Sequence, residues 1–251
     1  MRSVAVLAVG LLALACAHAR AAGADWATVV AAGDDRAAHS DRPTLAFDNA
    51  RRDVAGALVA AGAAAPDLAQ LSLRPAQSAG AAAGPTSVPL VLDRLSALAA
   101  RHPAGCLLYV TSHGSPDGLI VGDRLVPPPI LAALVTRACG ERPTAVILSA
   151  CFSGQFVPAL AGPRRFVMTA ARADRSSFGC GEGDRYPFFD GCVIAALPLC
   201  GGFADLAVRV RRCVSSREDA LGLSPHSEPQ VYQGAAFPDP QFLRVNAPRS
   251  P

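Results

Sequence analysis

The sequence predicts an α/β fold of three layers, with a mainly parallel, twisted sheet between helices on both faces. Apolar runs of strand length alternate with segments of helical periodicity along most of the chain, which is typical of β-α-β units. Two of these runs, 107–112 and 145–150, each end in a turn of small residues. The chain between them is long enough for one crossover connection, so we expect the two strands to run parallel.

The first half of the chain is expected to hold two strands and two helices. The continuous apolar run 26–32 indicates a buried strand, and 68–73 a shorter one. Asp48 or Asn49 is expected to cap the first helix, because apolar residues then recur at helical spacing. The segment 89–102 has the same spacing and predicts the second helix.

The second half continues the alternation. A segment that alternates around a Gly-Asp pair predicts a hairpin, and the prolines after it are suited to the first turn of a helix. The predicted elements are a strand at 106–112, a hairpin at 117–126, helices at 127–138 and over most of 188–212, strands at 145–150 and 167–170, a glycine-rich loop at 172–187 and a late strand within 225–237.

The N-terminal segment 1–21 is predicted to be an export signal, because a short apolar run follows Arg2 and ends in small residues. Residues 22–251 are then expected to form one domain that acts outside the cytoplasm, in the periplasm or as a secreted protein. The pattern before Cys16 also resembles a bacterial lipoprotein cleavage site, so membrane association is expected only if Cys16 is lipidated.

Composition argues against some classes of partner and cofactor. The formal net charge of +3 is small and scattered, which argues against a nucleic acid partner. Neither CxxC spacing nor paired histidines occur, so we predict no metal and no cofactor. Six cysteines remain besides Cys16 and Cys151, and they allow 15 disulfide pairings. Cys106, inside an apolar strand, is expected to pack in the core without a bridge.

A histidine and a cysteine follow the two central strands directly. His113 and Gly114 come after the first, and Cys151 comes after the second. Because the carboxyl ends of parallel strands meet at one edge of a sheet, both side chains are expected to face one substrate bond. Gly114, Ser153 and Gly154 are small, as a site that offers backbone N–H groups to an oxyanion requires.

These residues resemble the cysteine peptidases of the caspase–hemoglobinase fold. Ser-His-Gly at 112–114 and Ser-Ala-Cys-Phe-Ser-Gly at 149–154 are similar to the motifs of legumains, in which the second reads Glu-Ala-Cys-Glu-Ser-Gly. The segments 26–34, 167–171 and 175–180 extend the resemblance, which covers about 26–197. The chain is identified as a legumain-like peptidase of family C13 and is most similar to its compact bacterial members.

The resemblance implies an endopeptidase that acts on peptides or proteins and hydrolyses the bond after Asn or Asp. Cys151 would be the thiolate nucleophile at a helix N-terminus, and His113 would protonate the leaving amine. The backbone N–H groups of Gly114 and Cys151 would hold the oxyanion.

The specificity residues of legumains are matched only in part. Legumains use an arginine on the first loop or helix, an acidic residue after the nucleophile and a later aspartate. Arg51 and Arg52 lie in the first-helix region, and Phe152 replaces the acidic residue. Asp190 lies near the position of the late aspartate.

Three residues are the candidate substrate-binding set: Asn49, Ser153 and Asp190. Asn49 has two further interpretations, because legumains carry an asparagine here that orients the histidine, whereas Asn is also a common helix cap.

Two other functions stay open at this point. A transamidase or peptide ligase would use the same acyl-enzyme and pass it to an amine. A non-catalytic peptide-binding protein on a peptidase scaffold would need neither His113 nor Cys151, and the presence of both argues against it.

Overall fold

The computed structural model describes residues 26–40, 42–77, 83–102 and 104–239. The expected signal segment and Cys16 lie outside these residues. The strands are β1 Trp26–Ala32, β2 Leu68–Ser72, β3 Ala83–Pro85, β4 Gly105–Thr111, β5 Gly114–Ser115, β6 Gly118–Val121, β7 Arg124–Val126, β8 Thr144–Ser149, β9 Arg165–Thr169 and β10 Gln230–Gln233. The helices are α1 Ala46–Ala60, α2 Val88–Ala99, α3 Pro128–Cys139, α4 Val157–Leu160, α5 Phe188–Ala196 and α6 Phe203–Ala220. None of these helices is both long and apolar enough to cross a bilayer.

A seven-stranded sheet in the order β10-β9-β8-β4-β1-β2-β3 forms the centre of the molecule. All neighbouring strands in it are parallel except β10, which pairs antiparallel with β9. The predicted α/β class with a mainly parallel sheet is therefore confirmed. The expected hairpin is also present, as β6 and β7 of a small antiparallel sheet that β5 completes.

Helices cover both faces of the large sheet. Apolar residues of α1, α5 and α6 pack on one face, around Tyr109 and Phe166. Those of α2 and α3 pack on the other, around Leu108 and Val146. Since strand side chains alternate between faces, strands covered on both sides need continuous apolar runs, and β1, β4 and β8 are buried at every position.

The strands β4 and β8 are direct neighbours, as their sequence predicts. They pair in register from Cys106 opposite Thr144 to Thr111 opposite Ser149. The pairing continues one step further, because the Ser112 N–H donates to the Ser149 carbonyl at 3.0 Å. The turns that follow β4 and β8 therefore leave the sheet side by side.

The first helix begins earlier than the sequence predicts. Its N-cap is Leu45, so Asp48 and Asn49 lie inside the first turn and neither of them caps it. The Thr44 hydroxyl accepts from the Ala46 N–H at 3.1 Å and satisfies one of the N–H groups that a helix start leaves open.

Four of the cysteines form two disulfides. Cys106 is bonded to Cys139, and Cys192 to Cys213. The expectation that Cys106 only packs was wrong, because its side chain points to the face of the sheet on which the last turn of α3 brings Cys139 into reach. The second bridge joins the consecutive helices α5 and α6, which pack on the other face of the sheet.

Loss of the bridge between α5 and α6 is expected to cost stability. The variant Cys192→Ala/Cys213→Ala should lose about 3 kcal/mol of unfolding free energy, because the bridge closes a separation of 21 residues in the unfolded chain. Urea unfolding without reductant measures it. The control Cys200→Ala, which removes a buried free thiol, should cost about 1 kcal/mol. Equal midpoints for the double variant and wild type would contradict a stabilising bridge.

Candidate active site

The candidate site lies where β4 and β8 end. His113 and Cys151 stand in the two turns just past these strands. The turns approach closely, because a Cβ added to Gly114 would lie 2.2 Å from the Cys151 carbonyl oxygen. Only glycine fits at this position, so the small residue after the histidine brings the two reactive turns into contact.

The His113 ring is held from two sides. Its Nε2 lies 3.0 Å from the carbonyl oxygen of Arg36, and its ring packs edge-on against Phe47 with 4.9 Å between centroids. A carbonyl oxygen only accepts hydrogen bonds, so Nε2 must carry the proton that it donates. In the neutral ring, Nδ1 is then the basic nitrogen.

The Cys151 thiol is partly exposed and faces Ser177. The Ser177 N–H donates to the sulfur at 3.2 Å, and the carbonyl and hydroxyl oxygens of Ser177 lie 3.6 Å from it. The glycine-rich loop therefore supplies a donor to the sulfur.

The other two free thiols of the described chain differ from Cys151. Cys180 and Cys200 are buried, and burial raises the pKa of Cys180 to about 12 and that of Cys200 to about 11. Both stay protonated at neutral pH. Cys151 is thus the free thiol that combines access to solvent with a position beside the histidine.

A strained turn presents Cys151. Phe152 has a φ of 57°, in the left-handed region that residues with a Cβ seldom adopt, and its N–H donates to the Arg175 carbonyl at 2.8 Å. The four-residue 3₁₀ helix Ser153–Phe156 follows. The sequence predicts a helix N-terminus at the nucleophile, and the structure has only this short turn and α4 there.

Ser153 supports this turn from beneath. It is fully buried, and its hydroxyl donates to the Ala150 carbonyl at 2.7 Å and accepts from the Ala171 N–H at 3.3 Å. A hydroxyl with no exposed surface cannot contact a substrate. Its prediction as a substrate-binding residue is therefore corrected to a support of the nucleophile turn.

An open cleft of about 550 Å³ lies over His113 and Cys151. Its walls are the segments 34–40 and 176–180. The Ala38 N–H donates to the Cys180 carbonyl at 2.9 Å and joins the two walls. Across the described residues, no group of three or more His, Cys, Asp or Glu side chains is placed to hold a metal ion.

The candidate residues of the first helix face away from this cleft. Arg51 is fully buried, and its guanidinium donates to Asp48 and to Gln70. Arg52 pairs with Asp53 at 2.7 Å. Neither arginine therefore lines the cleft, as a specificity residue would have to.

Asn49 is likewise directed elsewhere. Its carboxamide donates to the Arg185 carbonyl at 3.2 Å, so it fastens α1 to the glycine-rich loop. The structure records no contact of Asn49 with the cleft or with His113 among the described residues. This geometry does not support its predicted roles in substrate binding and in orienting the histidine.

Arg36, which the sequence did not single out, is the arginine that lines the cleft. It is exposed, and its side chain makes no ion pair with the described part of the chain. The neighbouring Asp34 has turned its carboxylate to the backbone, where it accepts from the N–H groups of Asp35 and Arg36. The signal available in the sequence was the position just past β1, by the same strand-end rule that located His113.

Asp190 lies beneath the site. It is fully buried in the first turn of α5 and accepts hydrogen bonds from three hydroxyls, those of Tyr109 at 2.5 Å, Thr111 at 3.0 Å and Ser149 at 2.6 Å. Its prediction as a substrate-binding residue is corrected, because Asp190 is fully buried and does not line the cleft. Burial raises the pKa of Asp190 to about 6, although the three donors act in the opposite direction.

The raised pKa of Asp190 makes stability depend on pH. The unfolded carboxyl titrates near its ordinary value of 3.8 and the folded one near 6, so the folded chain holds a proton that the unfolded chain releases. The free energy of unfolding should therefore fall as the pH rises from about 4 to 6, by about 3 kcal/mol in total. Asp190→Asn should lack this decrease. Chemical denaturation of both proteins across this range measures it, and parallel curves would contradict the assignment.

Comparisons with known proteins fit this geometry. Residues 96–191, which include His113 and Cys151, match the sequence model of the Peptidase C13 family. No curated protein matches the chain. Among solved structures, caspase-1 from Spodoptera frugiperda superimposes with a TM-score of 0.63 over 91% of this chain and 93% of its own, at 11% identity, a likeness that concerns the fold alone. Residues 96–191 of the chain are thus similar to the Peptidase C13 family, and the chain as a whole has a caspase-like fold.

Proposed function

We propose that the protein is an endopeptidase that cleaves peptide or protein substrates through the Cys151 thiolate and His113. The observation that carries the proposal is the shared cleft: a partly exposed thiol and an imidazole with one nitrogen anchored to the Arg36 carbonyl face the same open space. This pairing supplies a nucleophile and a proton donor for acyl transfer.

The reaction needs two acyl-transfer steps. The Cys151 sulfur attacks the peptide carbonyl, and the developing oxyanion is held by backbone N–H groups of Gly114 and Cys151. No hydrogen bond within the described chain occupies the Cys151 N–H. Nδ1 of His113 takes the proton of the Cys151 thiol as the sulfur attacks and then gives it to the leaving amine, which breaks the peptide bond and leaves a thioester. Neutral His113 then takes a proton from water, whose oxygen attacks the thioester. The C–S bond breaks, the acid is released, and the proton returns from His113 to the Cys151 sulfur.

Cleavage after Asn or Asp is the proposed specificity, with Arg36 in contact with the side chain that precedes the bond. Arg36 supports this role because it is exposed in the cleft wall and its own carbonyl contacts His113. A guanidinium can donate two hydrogen bonds to a carboxylate or one to an amide oxygen. The buried Arg51 and the paired Arg52 are not available for it.

We further propose that the protein acts in an oxidising compartment, in the periplasm or as a secreted enzyme. The two disulfides support this location, since such bridges are rare in proteins of reducing compartments.

A peptide library tests the proposed activity. Wild type should cleave at defined bonds, whereas Cys151→Ala should lose at least about a thousandfold in kcat/KM, because no other group forms the acyl-enzyme. Mass spectrometry of the products measures the cleaved bonds. The control Cys200→Ala removes a thiol remote from the cleft and should keep wild-type activity. Cleavage that survives in Cys151→Ala would overturn the mechanism.

Arg36→Gln tests the specificity. Its kcat/KM should fall about 10- to 100-fold for peptides with Asp before the bond and less for those with Asn, because only the Asp peptides lose an ion pair with Arg36. The matched control Arg52→Gln changes a paired arginine of α1 outside the cleft. Equal losses for Asp and Asn peptides, or no loss, would remove Arg36 from substrate recognition.

A further inference from the structure

We propose that Asp190 is a positioning residue, whose carboxylate holds the ends of β4 and β8 in the alignment that His113 and Cys151 need. The inference rests on the proposed function and adds to it a residue that never touches the substrate. Asp190 lies under the sheet edge with no exposed surface and does not line the cleft, so its role differs from those proposed for His113 and Cys151.

The bonds of Asp190 connect the two strands that carry the reactive residues. Thr111 and Ser149 face each other in the sheet, and both hydroxyls donate to the same carboxylate oxygen, at 3.0 and 2.6 Å. Thr111 comes two residues before His113, and Ser149 two residues before Cys151. One oxygen atom thus ties together the last residues of both strands on the face opposite α2 and α3.

The other carboxylate oxygen of Asp190 is hydrogen-bonded to β4, two residues before Thr111. It accepts from the Tyr109 hydroxyl at 2.5 Å. Tyr109 and Thr111 lie on one face of β4, since side chains alternate along a strand. The three donors therefore fix the carboxylate in two directions, along β4 and across to β8, and any shift of one strand against the other lengthens at least one bond.

The environment of Asp190 favours an orienting role over a purely stabilising one. Its partners are neutral hydroxyls, and the described structure pairs no cation with it. A buried carboxylate without a cation is costly, and an apolar side chain with apolar neighbours would pack without that cost. The hydrogen bonds of the three hydroxyls fix the position of the strand ends more closely than apolar packing would, because hydrogen bonds depend on distance and angle.

The helix that carries Asp190 is itself firmly held. The disulfide from Cys192 to Cys213 joins α5 to α6 only two residues after Asp190. Phe189 and Val193 are buried in the core between α5 and the sheet. Asp190 therefore links the strand ends to a helix that is fixed by a disulfide and by core packing, and not to a loop.

The test measures turnover for each titrated active site. Wild type, Asp190→Asn, Thr111→Val and Ser149→Ala are titrated with a peptidyl electrophile that labels Cys151, and kcat and KM are determined for the labelled fraction. Each variant should lose about 10- to 100-fold in kcat, with KM within about threefold of wild type, because a displacement of about 1 Å between reacting groups costs that much. Thr111→Val and Ser149→Ala keep the carboxylate and serve if Asp190→Asn does not fold.

The matched control is Thr144→Val. Thr144 is fully buried on β8 like Ser149 but lies at the opposite end of the strand, where its hydroxyl donates to the Arg142 carbonyl. Its kcat per titrated site should stay within about twofold of wild type even if its melting temperature falls.

The outcomes separate the two proposals. Active wild type with unchanged kcat per site in the Asp190, Thr111 and Ser149 variants would leave the peptidase function intact and overturn the positioning role. A changed KM or a changed preference for Asp over Asn peptides, with kcat preserved, would reassign Asp190 to substrate recognition and likewise overturn it. Wild type that cleaves no peptide through Cys151 would overturn the proposed function and this inference with it.

Discussion

The in-register pairing of β4 with β8 is the constraint on which the site depends. His113 and Cys151 are far apart in the chain, and they meet because these strands are parallel, adjacent and end at the same level. A shift of one residue in this register would turn every side chain of one strand to the other face. Burial of both strands on both faces makes such a shift costly, so the packing of the core also sets the geometry of the site.

The two layers of helices contribute to the site in different ways. On the side of α2 and α3 the sheet meets an apolar cluster, which supplies burial. On the side of α1, α5 and α6 the polar side chain of Asp190 reaches the last residues of β4 and β8. The loops add the remaining pieces, namely the carbonyl of Arg36 for His113 and the N–H of Ser177 for Cys151. Backbone groups thus contact the two side chains of the candidate site directly, whereas the Asp190 side chain contacts the strand ends beneath them.

The sequence predicted the main elements and the position of His113 and Cys151 at one edge of the sheet, because both depend on local patterns. Continuous apolar runs identify strands buried on both faces, and residues just past such strands are placed by topology alone. The predictions that failed depend on side-chain direction in the folded protein. Asp190 could not be recognised as buried, since its hydroxyl partners are distant in sequence, and Cys106 could not be matched to Cys139 until α3 was placed against β4.

The two disulfides divide the chain into separately bridged parts. One encloses His113 within Cys106–Cys139, and the other lies wholly after the glycine-rich loop, at Cys192–Cys213. No disulfide in the described chain spans that loop, whose residues Glu182 and Gly183 are exposed. A single cut there would produce two fragments without a covalent link. Non-covalent contacts alone, among them the pairing of β9 with β10 and the packing of α5 and α6 on the sheet, would then keep Asp190 beneath the histidine and the cysteine.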